Sequence, residues 1–235
     1  MAKDNPLKLI TTNTSDMFIE LFLTSVAVWI LTDIVVATIA WLTHGLSVKR
    51  IRKNSSQWLK EIPLTENDQE LIRKNQELMK KVFGDEKIEQ KMKRMSKEDR
   101  VKLIVQLIEG AVDNYDVKID RVNFLHSDEI GDGVCGFYDP ETCSISINLD
   151  YIICDDDVML HHIVGTVFHE LRHAQQFRSI TDPDYNVCSE EQREAWALNF
   201  APGHYISCEV DFKTYREQTV ERDARAVGMA SIQGF

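Results

Sequence analysis

The sequence predicts an α+β fold in which a short antiparallel sheet lies between helical segments. Three observations support this prediction. Apolar residues recur at helical spacing from Val101 to Val112, whereas residues 120–126 and 143–148 have the composition of short strands. From residue 155 onward, helical patterns continue to the end of the chain. Strands that stand together between helical blocks are typical of α+β folds.

Length and charge narrow the classes of protein to which the chain can belong. Its 235 residues are enough for one sizeable domain and a smaller part. The formal net charge of -11 argues against a nucleic-acid partner, because phosphates are bound by cationic surfaces. No nucleic acid is therefore expected among the partners.

The N-terminal segment, residues 1–45, contains a long apolar run at residues 21–42. The run carries a single charge, Asp33, and a helix of about 20 residues spans the hydrocarbon core of a bilayer. It is predicted to be a transmembrane helix that associates the protein with a membrane. A helix buried against the rest of the protein and a signal peptide remain alternatives, since Asp33 would cost about 2.5–3.5 kcal/mol in the bilayer.

Flanking charges and cysteines predict the compartment. Four cations lie between residues 49 and 53, and two, Lys3 and Lys8, precede the run, which places the C-terminal part in the cytoplasm. Five cysteines without a C-x-x-C pair favour a reducing compartment, although Cys135 and Cys143 flank a predicted hairpin and could form a disulfide bond elsewhere. A soluble cytoplasmic protein is the alternative to a membrane-anchored one.

Residues 46–95 are rich in charge and have a helical pattern that Pro63 and Gly84 interrupt. They are predicted to form solvated linker helices. A domain is expected from Ser96 to the C-terminus, residues 96–235, because Ser96 and Asp99 have the spacing of a helix cap.

The most informative motif is His169-Glu170-Leu171-Arg172-His173. Three aspartates at residues 155–157 predict the start of its helix. Residues i and i+4 share one face of a helix, so His169 and His173 can bind one Zn²⁺, and Glu170 can activate a metal-bound water for peptide-bond hydrolysis. The motif also occurs by chance on surface helices. Here the flanking residues 162–168 are largely apolar, which indicates a buried helix.

A catalytic zinc needs a third protein ligand, and the helical pattern after Thr219 offers one. Glu221 is the preferred candidate because Ala224 and Gly228 would allow its helix to approach the motif helix closely. Glu217, one turn earlier, is the competitor. Asp223 is expected to accept the second ring N–H of a ligand histidine.

Other polar residues are weaker candidates for a role in the site. His204, Tyr205 and Tyr215 are candidates to stabilise the oxyanion of a tetrahedral intermediate, although each is more easily explained as structural. His161 and His162 are interpreted as packing or hydrogen-bonded residues, since His162 lies two turns before His169.

HELRHAQQ at residues 169–176, the preceding G-F-Y…ISIN region and the later E-x-D-A helix resemble small zinc peptidases of the gluzincin type. These include compact bacterial and phage metallopeptidase domains and ImmA/IrrE-type peptidases. The resemblance covers residues 96–235 and implies a zincin-like domain with His169, His173 and Glu221 as zinc ligands and Glu170 as the base. It also implies that the strand at residues 143–148 borders the cleft where an extended peptide binds.

Two other functions remain open on the sequence. One is a zinc-stabilised module that binds proteins without cleaving them, although a structural site has no use for Glu170. The other is a membrane-tethered toxin or regulatory protease with one protein substrate. The identity of that substrate depends on cleft loops that the sequence does not place.

Overall fold

The structure is a computed structural model that describes residues 64–131 and 133–235. These residues fall within one unit of the chain, Lys49–Phe235. The predicted transmembrane run, residues 21–42, lies outside the described residues. Among the helices that are described, none has both the length and the apolar character needed to cross a bilayer.

Three helices precede the sheet. Their bounds are α1 Glu66–Phe83, α2 Ile88–Lys93 and α3 Lys97–Tyr115. The α1 helix begins at a capping box, in which Thr65 and Asp68 satisfy each other's backbone N–H groups. The α3 helix begins at Ser96, whose hydroxyl accepts from the Asp99 N–H, so the predicted start of this helix is confirmed.

Helices α1 and α2 are helical as predicted, but the prediction that they form a solvated linker is wrong. Each buries one apolar face in the same core as α3, and the buried side chains are Leu71, Met79, Phe83, Ile88 and Met92. The charges that suggested a linker lie on the opposite face, where Arg73 bonds Glu70. The amphipathic pattern of α1 and α2 was therefore overlooked because both segments are rich in charge.

The sheet contains three described strands, β1 Arg121–Leu125, β2 Gly136–Asp139 and β3 Ser144–Asn148, in the order β1-β3-β2. The β2 and β3 strands form an antiparallel hairpin, whereas β1 is parallel to β3. The predicted antiparallel sheet is therefore mixed. A short helix, α4 Ser127–Ile130, and β2 lie between β1 and β3, and this connection is long enough for the chain to cross back.

The central strand β3 is buried at all five positions, although the alternation of apolar and polar residues in CSISIN is typical of a half-buried strand. Its two serines are covered because they find polar partners on either side. Ser144 shares a hydrogen bond of 2.8 Å with Thr142, and Ser146 accepts from Asn123 at 3.3 Å.

Five helices follow β3. They are α5 Leu149–Ile153, α6 Asp157–Thr181, α7 Glu190–Phe200, α8 Phe212–Glu217 and α9 Thr219–Ser231. As predicted, α6 begins at the aspartate run, where the Asp156 carboxylate accepts from the Met159 N–H. The α6 helix contacts α3, both β2 and β3, and α9. It is therefore the central element around which the described residues are arranged.

Candidate metal centre

The two histidines of the motif face each other on one side of α6. Their Nε2 atoms are 3.0 Å apart, and their rings meet edge to face. This proximity follows from the helical i, i+4 spacing. Both side chains are largely buried, with exposed fractions of 17% for His169 and 11% for His173.

Glu221 reaches the same point from α9. Its Oε2 lies 3.3 Å from His169 Nε2, and its Oε1 lies 3.3 Å from His173 Nε2. His169, His173 and Glu221 form a group that could hold a metal ion, called the metal group below. Their ligand atoms lie within 4.8 Å of one another. The structure therefore brings together the three residues that the sequence selected.

Glu217, the competing candidate, is not part of this group. Helix α8 ends at Glu217, and Gln218 has an extended backbone with φ -60° and ψ 145° before α9 begins. Because of this break, Glu217 and Glu221 do not share the face of one continuous helix.

The predicted close approach of α9 to α6 is confirmed at Gly228. A Cβ atom at this position would lie 3.0 Å from the Gly165 carbonyl oxygen and 3.3 Å from the His169 nitrogen. Ala224, one turn earlier, is fully buried. Small side chains at these two positions allow the helix that carries Glu221 to approach the helix that carries the histidines.

Gln176 fixes which ring nitrogen of His173 carries the proton. Its Nε2 donates to the Val220 carbonyl and to Asp223, which can only accept, so its Oε1 must be the atom that faces His173. This oxygen lies 2.8 Å from His173 Nδ1, which therefore donates. When the ring is neutral, as it must be to bind a metal, the lone pair is therefore on Nε2 and is directed towards His169 and Glu221.

The prediction for Asp223 needs a correction. Asp223 does not accept from a ligand histidine but holds Gln176, with 2.6 Å between Asp223 Oδ2 and Gln176 Nε2. It also accepts two hydrogen bonds from Arg172, whose guanidinium donates to Asp68 of α1 as well. Arg172, Gln176 and Asp68 were not among the predicted site residues, although the polar residues throughout HELRHAQQ on a buried helix were a signal.

The atoms that meet at this point could hold a metal ion. Two ring nitrogens and a carboxylate meet in a buried space, and Glu221 Oε2 has no hydrogen-bond donor among the described residues. Burial lowers the pKa of His173, but the Glu221 carboxylate offsets this and raises the pKa to about 9. Burial opposes ionisation of Glu221, yet His173 and His169 keep its pKa well below the usual value. This set of ligand types suits a transition-metal ion.

Glu170 lies beside this group and faces a cleft of about 220 Å³ that His169 also lines. Burial raises the pKa of Glu170, and the neighbouring histidines act in the opposite direction. The backbone N–H of Tyr138 in β2 acts on the pKa in the same direction as the histidines. A buried carboxylate with a raised pKa is suited to accept and return a proton.

The remaining candidates lie at different distances from the group. The Tyr205 hydroxyl donates to Glu221 Oε1 at 2.7 Å, and Tyr215 lines the cleft. Burial raises the pKa of both tyrosines and the Glu221 charge adds to the effect, so both hydroxyls keep their protons. His204 is not among the residues that line the cleft. His162 is exposed at the cleft wall, outside the metal-binding group, and His161 is half-buried.

The strand that borders the cleft differs from the prediction. Residues 143–148 were expected at the cleft edge, but β3 lies between β1 and β2, so both of its edges are paired. Residues 133–136, which include the start of β2, line the cleft instead. Comparison of the chain with protein-family models, curated proteins and solved structures finds no match.

Proposed function

We propose that the protein is a zinc-dependent peptidase in which His169, His173 and Glu221 bind the metal and Glu170 is the general base. The observation that carries the proposal is the convergence of the three ligand side chains beside a buried carboxylate that opens into a cleft. Two imidazoles and one carboxylate are a ligand set of catalytic zinc sites, which keep a position open for water or substrate. The relationship to the gluzincins is part of this proposal.

Bound zinc would supply Lewis-acid chemistry, lowering the pKa of a bound water and polarising a carbonyl group. Glu170 would accept a proton from the attacking water and return it to the leaving amine. Its burial supports this role because the raised pKa makes the protonated form accessible. Gln176 would hold His173 in the tautomer that binds metal, since its amide accepts from the opposite ring nitrogen.

The cleft supports a peptide as substrate. The β2 strand is at the edge of the described sheet, and its first residue, Gly136, lines the cleft. An extended peptide could add to this edge and present its carbonyl to the metal group. Tyr215, protonated and directed to the cleft, is a donor for the developing oxyanion.

The proposal also retains a location at the cytoplasmic face of a membrane, through residues 21–42. It rests on the length of that apolar run and on the cations that follow it. Expression with and without residues 1–45, followed by separation of membrane and soluble fractions, tests it. Equal distribution of the two forms would contradict membrane association.

Metal analysis and peptide hydrolysis of three variants test the proposed activity. We expect about one zinc per chain in the purified protein. Glu170→Gln should keep the zinc but lower hydrolysis by about 10²–10⁴-fold, because it removes the base and leaves the ligands intact. Glu221→Ala should lose the zinc.

Glu217→Ala is the matched control, since it removes a nearby glutamate that lies outside the metal group. It should keep both zinc and activity. Undiminished zinc in Glu221→Ala would contradict the ligand assignment. Stoichiometric zinc without cleavage of any peptide in a diverse library would instead favour a zinc-stabilised binding module.

A further inference from the structure

Arg225 introduces a cation into the cleft. It lies one turn after Glu221 on α9 and lines the same cleft as His169 and Glu170. The α9 helix runs antiparallel to α6, because Glu221 meets His173 while Gly228, later in the chain, meets Gly165. Arg225 therefore lies on the side of the metal group that extends along α6 towards Thr166 and His162.

No carboxylate of the described residues forms a salt bridge with this guanidinium. Its one hydrogen bond runs from Nη2 to the Arg216 backbone carbonyl. The Glu221 carboxylate is close enough to raise the pKa of Arg225, but it already contacts the two histidines and accepts a hydrogen bond from Tyr205. Burial lowers the pKa of Arg225, and the nearby Arg216 charge lowers it further.

Arg172 on α6 shows how the same side chain behaves when it is structural. It is fully buried, stacks over Trp196 and bonds two aspartates. Arg225 is half-buried, retains unused N–H donors and borders open space. A guanidinium desolvated to this degree without an anionic partner is suited to receive one from a ligand.

The wall of the cleft would strengthen an ion pair between Arg225 and a bound anion. Apart from histidines, the charged side chains that line the cleft among residues 64–131 and 133–235 are Glu170 and Arg225. The wall beside them includes Phe212, Tyr215 and Met229. Charges interact more strongly beside apolar groups than in water.

We infer that Arg225 is a subsite for a substrate carboxylate, so that the preferred substrates are peptides that carry an acidic group beside the scissile bond, on the side that faces Thr166 and His162. This inference rests on the proposed function. The carboxylate is either the C-terminal group of a short peptide or the side chain of Asp or Glu. A guanidinium binds both through two parallel hydrogen bonds.

The first experiment uses ligands that need the metal but not catalysis. Monohydroxamates of alkanedioic acids, with two to six methylene groups, are compared with the corresponding monohydroxamate carboxamides for binding to the zinc-loaded protein. The best-fitting acid should bind about tenfold more tightly than its amide, since a hydrogen-bonded charge pair contributes more than a neutral contact. Arg225→Gln should reduce this ratio to about one, and Arg225→Lys should retain part of it.

Arg216→Gln is the matched control because it removes a neighbouring positive charge and leaves the cleft guanidinium in place. The ratio should be unchanged in this variant. An equal ratio in wild type and Arg225→Gln, or an equal loss in Arg216→Gln, would overturn the inference. The first result would show no contact, and the second a general effect of charge.

Peptide pairs identify the source of the carboxylate. One pair differs as C-terminal acid and amide, and the other as internal Glu and Gln, with kcat/KM as the readout. The pair whose preference disappears in Arg225→Gln names the source, and an unchanged preference in both pairs overturns the inference. If the hydroxamates show the Arg225-dependent ratio while no peptide is hydrolysed, the carboxylate subsite stands and the proposed peptidase activity is wrong.

Discussion

Helix α6 has two buried faces of opposite chemical character. One is aliphatic and aromatic and comprises Leu160, Ile163, Val164, Val167, Phe168 and Leu171, while the other is polar and comprises Glu170, Arg172, His173 and Gln176. The first set is fully buried, and the second set is at most 8% exposed. Burial therefore does not distinguish them, and the difference lies in what each face requires from its partners.

The apolar face requires only neighbouring side chains that fill the space around it. Its side chains are stabilised by removal from water and by close packing, so any neighbour of similar shape serves. The polar face requires particular atoms, because a buried donor or acceptor without a partner costs about 1–3 kcal/mol. Those atoms come from far along the chain, since Arg172 bonds Asp68 of α1 and Asp223 of α9. The polar face thus joins α1 to the metal group.

The most severe test of this comparison is Arg172→Met. Replacing the guanidinium by an apolar chain of similar length leaves Asp68 and Asp223 buried without their cation. The free energy of unfolding should fall by about 3–5 kcal/mol, as measured by urea denaturation. Arg178→Met on the same helix removes a partly exposed arginine and should cost at most about 1 kcal/mol. Equal losses in the two variants would show that the buried network contributes nothing specific.

Two adjacent buried glutamines of α6 differ in whether they bond a residue of the metal group. Gln176→Leu removes the amide that orients His173, and zinc affinity should fall about 10–100-fold in a competition titration against a chelator. Gln175→Leu is the matched control, because that amide bonds Arg172, Tyr115 and Tyr185 and contacts none of the three ligands. It should lower stability but leave zinc affinity unchanged. Equal zinc affinities in the two variants would remove Gln176 from the description of the site.

The smallest expected effect is on the apolar face. Ile163→Val removes one buried methylene group and should lower the free energy of unfolding by about 0.5–1.5 kcal/mol. Zinc affinity should stay the same, since only packing is altered. A measurable loss of zinc affinity would show that packing on the apolar face affects metal binding on the polar face.

The success of each prediction from the sequence depended on how local the interaction was. The start of α6 at Asp156 and the pairing of His169 with His173 were predicted because both follow from contacts within one or two turns of helix. The prediction for residues 66–93 failed because charge was weighed above the spacing of Leu71, Met79 and Phe83. Both predicted strands are present as β1 and β3, but the prediction of an antiparallel sheet was wrong for β1, because strand direction is set by the crossover and not by the strand residues.

The candidates for the third ligand illustrate both local and long-range interactions. The sequence favoured Glu221 through the small residues that follow it, and helical geometry made this argument sound. Glu217 was excluded by the extended backbone at Gln218. The Gln218 side chain bonds both backbone groups of Ile206, a contact that no helical pattern reveals.

The sequence by itself determined that α6 presents two histidines and a glutamate from one buried helix, because a period of 3.6 residues is a local property. Packing of the helices against one another sets which atom of the Gln176 amide faces His173, through Val220 and Asp223. It also brings Asp223 and Asp68 to Arg172 and places Arg225 at the cleft. These partners are separated by up to 104 residues along the chain. Which of them meet depends on how the helices pack, and packing is a property of the whole set of buried surfaces.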